Sequence, residues 1–375
     1  FLMIRRPPRS TRKESSAASD VYKRQDRVNN SKNLSLLNYL VHWNRIIALD
    51  RLRGLHLFAK LGLVSYSVKG ICYRSKLMRA NLEEQIALPC EEIIESDLKA
   101  VKKLSFKGDI SNYQPFVDGD FKGLVNVGKL EFQSFSTVIE NILPKDLLSL
   151  TSLKELTIKG STIEELPNNL RSSISNIHTL NLSGNNLNHF QNNAFKEMMV
   201  PFSLAPSKVS IDLSHNPVIS TPRHNGFIAP NAFRNCEAVT DLNLSDMQLY
   251  KLHKSVFDPF IRLKNLNLSR NWIKKIDQVL KSKGLASLEE LNLSYMGFDK
   301  IGDSTFNKMT NIRKLDLVSN NLKGFPKALF MIKSLRELNY CSKWFLEEEQ
   351  RQVQIALEKS NPNIIFNICE MNKNQ

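Results

Sequence analysis

Between Val101 and Asn339 the chain writes one line ten times, L-x-x-L-x-L-x-x-N-x-L, as in Leu263-Lys-Asn-Leu266-Asn-Leu268-Ser-Arg-Asn271-Trp-Ile273 and Ile312-Arg-Lys-Leu315-Asp-Leu317-Val-Ser-Asn320-Asn-Leu322. The lines open at Val101, Val127, Leu153, Ile177, Lys208, Val239, Leu263, Leu288, Ile312 and Leu335, in steps of 26, 26, 24, 31, 31, 24, 25, 24 and 23 residues. One copy is too short to bury an apolar face alone, so the copies must stack and share a core. Side chains alternate faces along a strand, so places four and six of each line point the same way. A further apolar place (Leu187, Leu249, Ile273, Phe298, Leu322) turns the chain beneath the strand. Another follows three residues later (Phe190, Leu252, Ile276, Ile301, Phe325).

Four lines carry Phe at their nineteenth place: Phe195, Phe257, Phe306 and Phe330. This mark, the line and its period resemble the typical class of the leucine-rich repeat family. The resemblance implies an α/β solenoid of about ten repeats, a curved horseshoe with a parallel β-sheet on its concave face and the Phe rings stacked on the convex side. It also implies that Asn at the ninth place (Asn185, Asn216, Asn271, Asn320) bonds backbone groups of neighbouring coils. Phe135, Ser161, Met247, Met296 and Lys343 occupy that place in other lines. The ladder there is expected to be broken or bridged by water, with local looseness near Met247 and Met296 as the alternative to simple drift.

Two lines run to 31 residues. In the line from Ile177 the surplus follows Phe195, within residues 196–207. In the line from Lys208 it precedes Phe233, within residues 222–230. Both bulges belong to the returning side of a coil, and loops on a rigid scaffold often carry function. Arg223, His224 and Phe227 form a candidate contact set there, against the alternative of an inert insertion.

The chain's net charge of +15 suggests nucleic acid until it is located. Residues 1–79 hold 17 Lys or Arg against 4 Asp or Glu, so the remaining residues carry only +2. A nucleic-acid groove needs its cations on the repeats, and a nucleic-acid partner is not expected. Residues 1–25 resemble translated sequencing-adapter sequence and are set aside as non-native. Residues 26–84 form a basic segment, poorly ordered or helical, read as an amphipathic cap over 34–63 or as a presequence whose start is missing; Met78 is a possible internal start. No run reaches the 18 apolar residues that suggest a membrane span, and no secretory signal stands at the first residues.

Five cysteines stand singly, at Cys72, Cys90, Cys236, Cys341 and Cys369. Isolated thiols favour a reducing compartment, the cytoplasm slightly, or a bacterial protein that needs no disulfide caps, with secretion open. Asn-Leu-Ser at Asn33, Asn181, Asn243, Asn267 and Asn292 spells a glycan acceptor, but four of these are the repeat's own lettering and are read as accidental.

The repeat domain is expected over residues 85–344, entered by a helix near Glu91 to Leu98. A helix from Leu346 to Lys359 is expected to turn its apolar side (Phe345, Val353, Ile355, Ala356, Leu357) onto the last coil. A short strand at Ile364 to Asn367 completes a cap over 345–375 that resembles the terminal cap of bacterial-type leucine-rich proteins.

No phosphate loop, zinc-protease motif or nucleophile elbow is present, and the seven His show no metal spacing. No catalytic, cofactor or metal residue is assigned, and no enzyme activity is expected. What remains is the outward surface of the strands, read as places five and seven of each line. Interface hot spots favour Trp, Tyr and Arg, which centres the expected contact on Asp212, Asn243, Asn267, Arg270, Asn292, Tyr295, Arg313, Asp316 and Arg336. The expected role is a non-catalytic scaffold for a protein or peptide partner on the concave face. The alternatives are a fragment of a secreted or cell-surface receptor or adhesin, and a piece of a larger enzyme whose catalytic module is missing.

Overall fold

In a computed structural model, residues 67–108, 116–135, 147, 149–166, 175–196, 198–218, 220–221, 224–225, 227–273, 275–341 and 347–368 are described. Expectations for residues 1–66, Arg223, Phe345 and Cys369 lie outside them.

Every line contributes one strand, and all pair in parallel: β1 (Lys103–Lys107), β2 (Lys129–Gln133), β3 (Glu155–Lys159), β4 (Thr179–Asn181), β6 (Ser210–Asp212), β10 (Asp241–Asn243), β11 (Asn265–Asn267), β12 (Glu290–Asn292), β13 (Lys314–Asp316) and β14 (Glu337–Tyr340). The cap strand β15 (Ile365–Ile368) pairs with β14 and makes an eleventh. Place four sits beside place four throughout, as in Leu242 beside Ile211 and Leu266. These residues, with those at place six, are buried. The sheet is therefore a stack of identical slices, and the chain folds as a leucine-rich solenoid.

The ninth-place asparagines do what the resemblance implies. Asn271 Nδ2 donates to the carbonyls of Leu244 in the previous coil and Leu268 in its own, both at 2.8 Å, while its Oδ1 accepts the N–H groups of Met247 and Leu249. Asn185, Asn216 and Asn320 repeat the arrangement. Where the asparagine is absent, other groups take over part of its work. Ser161 Oγ accepts from Phe135 N–H at 3.1 Å, and the Met247 carbonyl accepts from Val218 N–H at 2.9 Å. Met247 and Met296 are themselves buried, so the looseness considered near them has no support in packing.

The Phe spine is shorter than expected. Phe195 stacks on Phe233 with centroids 5.4 Å apart, and Phe260 and Phe257 continue the row. The coil from Leu263 has Lys281 at the nineteenth place, so among the described residues no nineteenth-place ring bridges to Phe306, and Phe330 packs on Phe325 instead. A separate aromatic cluster, Phe106, Phe116, Phe121, Phe132 and Phe135, fills the first two coils.

Both ends are closed. Before the first coil lie α1 (Ser67–Cys72) and α2 (Lys76–Ile86), not a helix at residues 91–98, where turns lead into a 3₁₀ segment, Asp97–Ala100. Met78 and Leu82 of α2 are buried. Ser75 Oγ caps its first turn, and Asp120 Oδ1 accepts from Ser75 N–H at 2.8 Å. A chain beginning at Met78 lacks these ties. Besides α3 (Ile276–Val279), two pairs of short strands are added on the returning side: β5 (His189–Phe190) pairs with β9 (Phe227–Ile228), and β7 (Ser220–Thr221) forms a hairpin with β8 (His224–Asn225). At the far end α4 (Glu347–Ser360) buries Val353 and Leu357, one turn apart, whereas Ile355 and Ala356 face solvent. A stripe at four-residue spacing covers the last coil, and residues between its members fall on the other face.

The cysteines are not isolated. Cys72 and Cys90 form a disulfide across 18 residues, and Cys341 is also disulfide-bonded. Cys236 is a free, buried thiol, and burial pushes its ionisation far above the ordinary range. The sequence argument for a reducing compartment therefore fails. Nothing in a spacing of 18 residues marks a pair before the fold brings its members together.

Candidate functional site

The exposed face of the sheet carries places three and five, and the third place is a column that the sequence reading omitted. Its members from Lys103 to Glu337 stand in register across the sheet. The seventh place departs from expectation in the opposite sense: Ser183, Ser214, Ser245, Ser269 and Ser294 are buried. The cause is a turn at place five. Asp212 Oδ1 accepts from Ser214 N–H at 2.9 Å, and Asn181, Asn243, Asn267, Asn292 and Asp316 each accept from the N–H two residues on. This Asx geometry ends the strand and folds place seven inward. Five of the candidate contact residues thus have one oxygen occupied in shaping the coil.

Place eight lies in the left-handed region in eight consecutive lines, the last six of which carry this turn: Ser134, Gly160, Gly184, His215, Asp246, Arg270, Tyr295 and Ser319 all have positive φ. Each N–H from Gly184 to Tyr295 donates to the place-seven carbonyl of the next coil. The place-eight side chains accordingly form one row along the C-terminal edge of the strands. Neighbours in the row interact: His215 Nδ1 lies 3.0 Å from Asp246 Oδ2, and Arg270 Cζ sits 4.6 Å from the centroid of the Tyr295 ring. Trp272, two residues beyond Arg270, is 59 % exposed, and Tyr295 is 46 % exposed. Trp272 was not singled out from the sequence; the signal was its type, a bare Trp in a polar turn beside Arg270.

The other two arginines belong elsewhere. Arg313 and Arg336 occupy place two, before the strand, whereas place eight follows the turn at its far end. Arg336 Nη1 also donates to Asn361 Oδ1 of the C-terminal cap. Of the insertion set, Phe227 is exposed and meets His189 edge to face at 5.4 Å, and His224 lies in β8.

Electrostatically, the sheet face divides. Across the first coils Lys103 and Lys129 grip Glu131 at 2.9 and 3.1 Å, and Lys129 also reaches Glu155. Burial pushes the Glu131 carboxyl up, but the two ammonium groups outweigh it and hold the group below its ordinary value. Glu131, then Glu155, raise Lys129. Farther along, a shallow hollow of about 390 Å³ is lined by Thr179, Ser210, Asp212, Asp241, Asn265 and Glu290, among others. Asp241 is held there by Asn265 and Thr240.

Among the described residues, potential metal ligands gather in a group of three only at Cys72, Cys90 and Glu91, where the two sulfurs are joined to each other. Asp212 and Asp316 are four strands apart, about 19 Å at sheet spacing, too far for paired-carboxylate chemistry. No described helix is long and apolar enough to cross a membrane.

Stacked coils, an in-register parallel sheet and asparagine ladders define a leucine-rich repeat protein. More narrowly, the model for the BspA type Leucine rich repeat region matches in 6 copies over residues 97–211 and 226–348, and the chain belongs to that family. No curated protein matches it in sequence. Among solved structures it is similar to a chain of the octameric complex of Latrophilin 3, Unc5D and FLRT2 (LRR), at 17% identity and a TM-score of 0.51, covering 73% of this chain and 78% of that one. It is also similar to the Toll–Spatzle complex of Drosophila, at 17% identity and a TM-score of 0.50, covering 73% of this chain and 42% of that one. A chain of the TLR13–ssRNA13 complex matches at 22% identity and a TM-score of 0.49, over 66% of this chain and 41% of that one. The chain thus spans about two fifths of the Toll and TLR13 chains. At these identities the likeness is one of fold.

Proposed function

We propose that the chain is a non-catalytic scaffold that binds a protein or peptide partner along the C-terminal edge of its sheet, through His215, Asp246, Arg270, Trp272 and Tyr295. One observation carries this reading. A left-handed backbone suits glycine, and a side chain there costs about 1 kcal/mol or more. Gly160 and Gly184 take the inexpensive solution; the next four coils place His, Asp, Arg and Tyr in the same conformation. Backbone strain accepted in four adjacent coils, with exposed aromatic and guanidinium groups as the result, is what a contact surface requires. The sheet-face residues Asp212, Asn243, Asn267, Asn292 and Asp316 flank that edge, while Arg313 and Arg336 stand apart from it.

The test is affinity capture from the source organism's extract with wild type and with Arg270→Ala/Trp272→Ala/Tyr295→Ala, partners identified by mass spectrometry. Loss of the same partner from the variant, with thermal unfolding unchanged, is the expected result. Full recovery contradicts the reading.

A second reading concerns place of action. The disulfides at Cys72, Cys90 and Cys341 favour a scaffold that works in an oxidising compartment. Alkylation of the native protein under denaturing, non-reducing conditions is expected to label Cys236 and spare Cys72 and Cys90; labelling of all three overturns it.

A further inference from the structure

On the returning side of the coils, beyond the strands, two adjoining hollows of about 280 Å³ and 470 Å³ share Tyr250, Lys251 and His253. Volumes of this order accommodate a few side chains of a ligand. The walls of the first are Val218, Phe227, Ile228 and Leu249, and those of the second include Leu252 and Ile273. Phe227 is supplied by the extra residues of the long repeat, since β9 pairs with β5 of the preceding coil and projects the ring beside the hollow. Tyr250 is 46 % and Phe227 41 % exposed.

The charge at this trough is of one sign. Lys251, Lys254 and Lys275 line it, all exposed, and no carboxylate is among its described lining residues. On the sheet face, by contrast, Lys103, Lys129, Lys264 and Lys314 each lie within about 3 Å of a carboxylate. Among the described residues none of the three trough lysines has such a partner. Three ammonium groups around an apolar floor are complementary to carboxylates flanking an apolar side chain.

We infer that this trough binds an acidic peptide segment of a partner protein, with an apolar or aromatic residue seated between Phe227 and Tyr250 and carboxylates on Lys251, Lys254 and Lys275. The apolar floor favours a peptide over a polyanion, because a nucleic-acid strand or sulfated sugar gains most from a long run of cations, and here there are three. None of the lining residues belongs to the contact set proposed for the place-eight edge, so the two are tested by different substitutions.

The experiment is selection of a displayed random-peptide library on the full chain, followed by fluorescence anisotropy of the best peptide, oligo-dT and heparin as labelled probes. The expected consensus is acidic residues around Leu, Phe or Trp. Its affinity is expected to fall at least tenfold with Lys251→Glu/Lys254→Glu, with Tyr250→Ala, or when Gln replaces the peptide's Glu, and to be unchanged in Arg270→Ala/Tyr295→Ala. Thermal unfolding of the charge-reversed variant is expected to match wild type. Enriched peptides without acidic excess, binding that survives charge reversal, or tighter binding of oligo-dT or heparin through the same lysines each overturn the inference.

Discussion

The first three coils and the later ones solve one geometric problem with different chemistry. In β1 to β3 the strands run five residues and end in exposed Lys107, Gln133 and Lys159, and Ser105, Glu131 and Thr157 stand at place five. In β4, β6 and β10 to β13 an Asn or Asp at place five ends each strand after three residues, and an asparagine ladder fastens most coils. Rings and ion pairs occur in both sets of coils, and what the later ones add is amide side chains that fix the backbone. Only the later coils use that fixed backbone to carry large side chains at place eight. A surface is most specific where the residues beneath it cannot move, which supports the proposal of a contact edge along the coils that carry the amide bonds.

That contrast can be broken at several points. The largest expected effect is at the Phe spine of the later coils: Phe233→Ala is expected to destabilise by about 3–5 kcal/mol, read by denaturant unfolding. Loss of under about 1 kcal/mol shows that the spine is not cooperative. Next comes Asn271→Ala, which strands two carbonyls and two N–H groups and is expected to cost about 3–4 kcal/mol. Ser161→Ala, its counterpart in an early coil, is expected to cost about 1 kcal/mol. Equal losses remove the distinction between the halves.

Reduction tests the N-terminal closure. For a loop of 18 residues, Cys72→Ser is expected to lower stability by about 2–3 kcal/mol, checked by unfolding with and without dithiothreitol. Wild type in reductant is expected to behave at least as poorly as the variant.

The ion pairs of the early coils predict a pH signature. Glu131 has its folded pKa below the unfolded value of 4.5. Its contribution is therefore whole above that value and is lost as pH falls through the folded pKa. Glu131→Gln is expected to flatten the acid limb of stability against pH and leave the neutral region changed by no more than about 1 kcal/mol; an unaltered acid limb contradicts it. The smallest expected effect is Tyr295→Gly, where relief of left-handed strain offsets the lost stacking on Arg270 and stability shifts by less than about 1 kcal/mol.

The coil core was legible because periodicity alone dictates it: Leu266 and Leu268 have no other place to go once the strands stack. Asn271 was legible for the same reason. The solvent side was not. Alternation treats places three, five and seven alike, and only the Asx turn, an event of backbone geometry at Asn267, decides that Ser269 is buried. The left-handed place eight hides behind varied side chains, although Gly160 and Gly184 were its trace. The pairing of Cys72 with Cys90 depends on where α2 packs, which no local pattern records.

Native-state hydrogen exchange of wild type against Asn271→Ala tests most directly whether amide side chains fix the edge that carries Arg270 and Tyr295. Faster exchange at Met247, Leu249, Asp246 and Arg270, with the amides of β1 to β3 unchanged, is the predicted result. Unchanged protection at Met247 and Leu249, or a uniform loss along the whole chain, contradicts it.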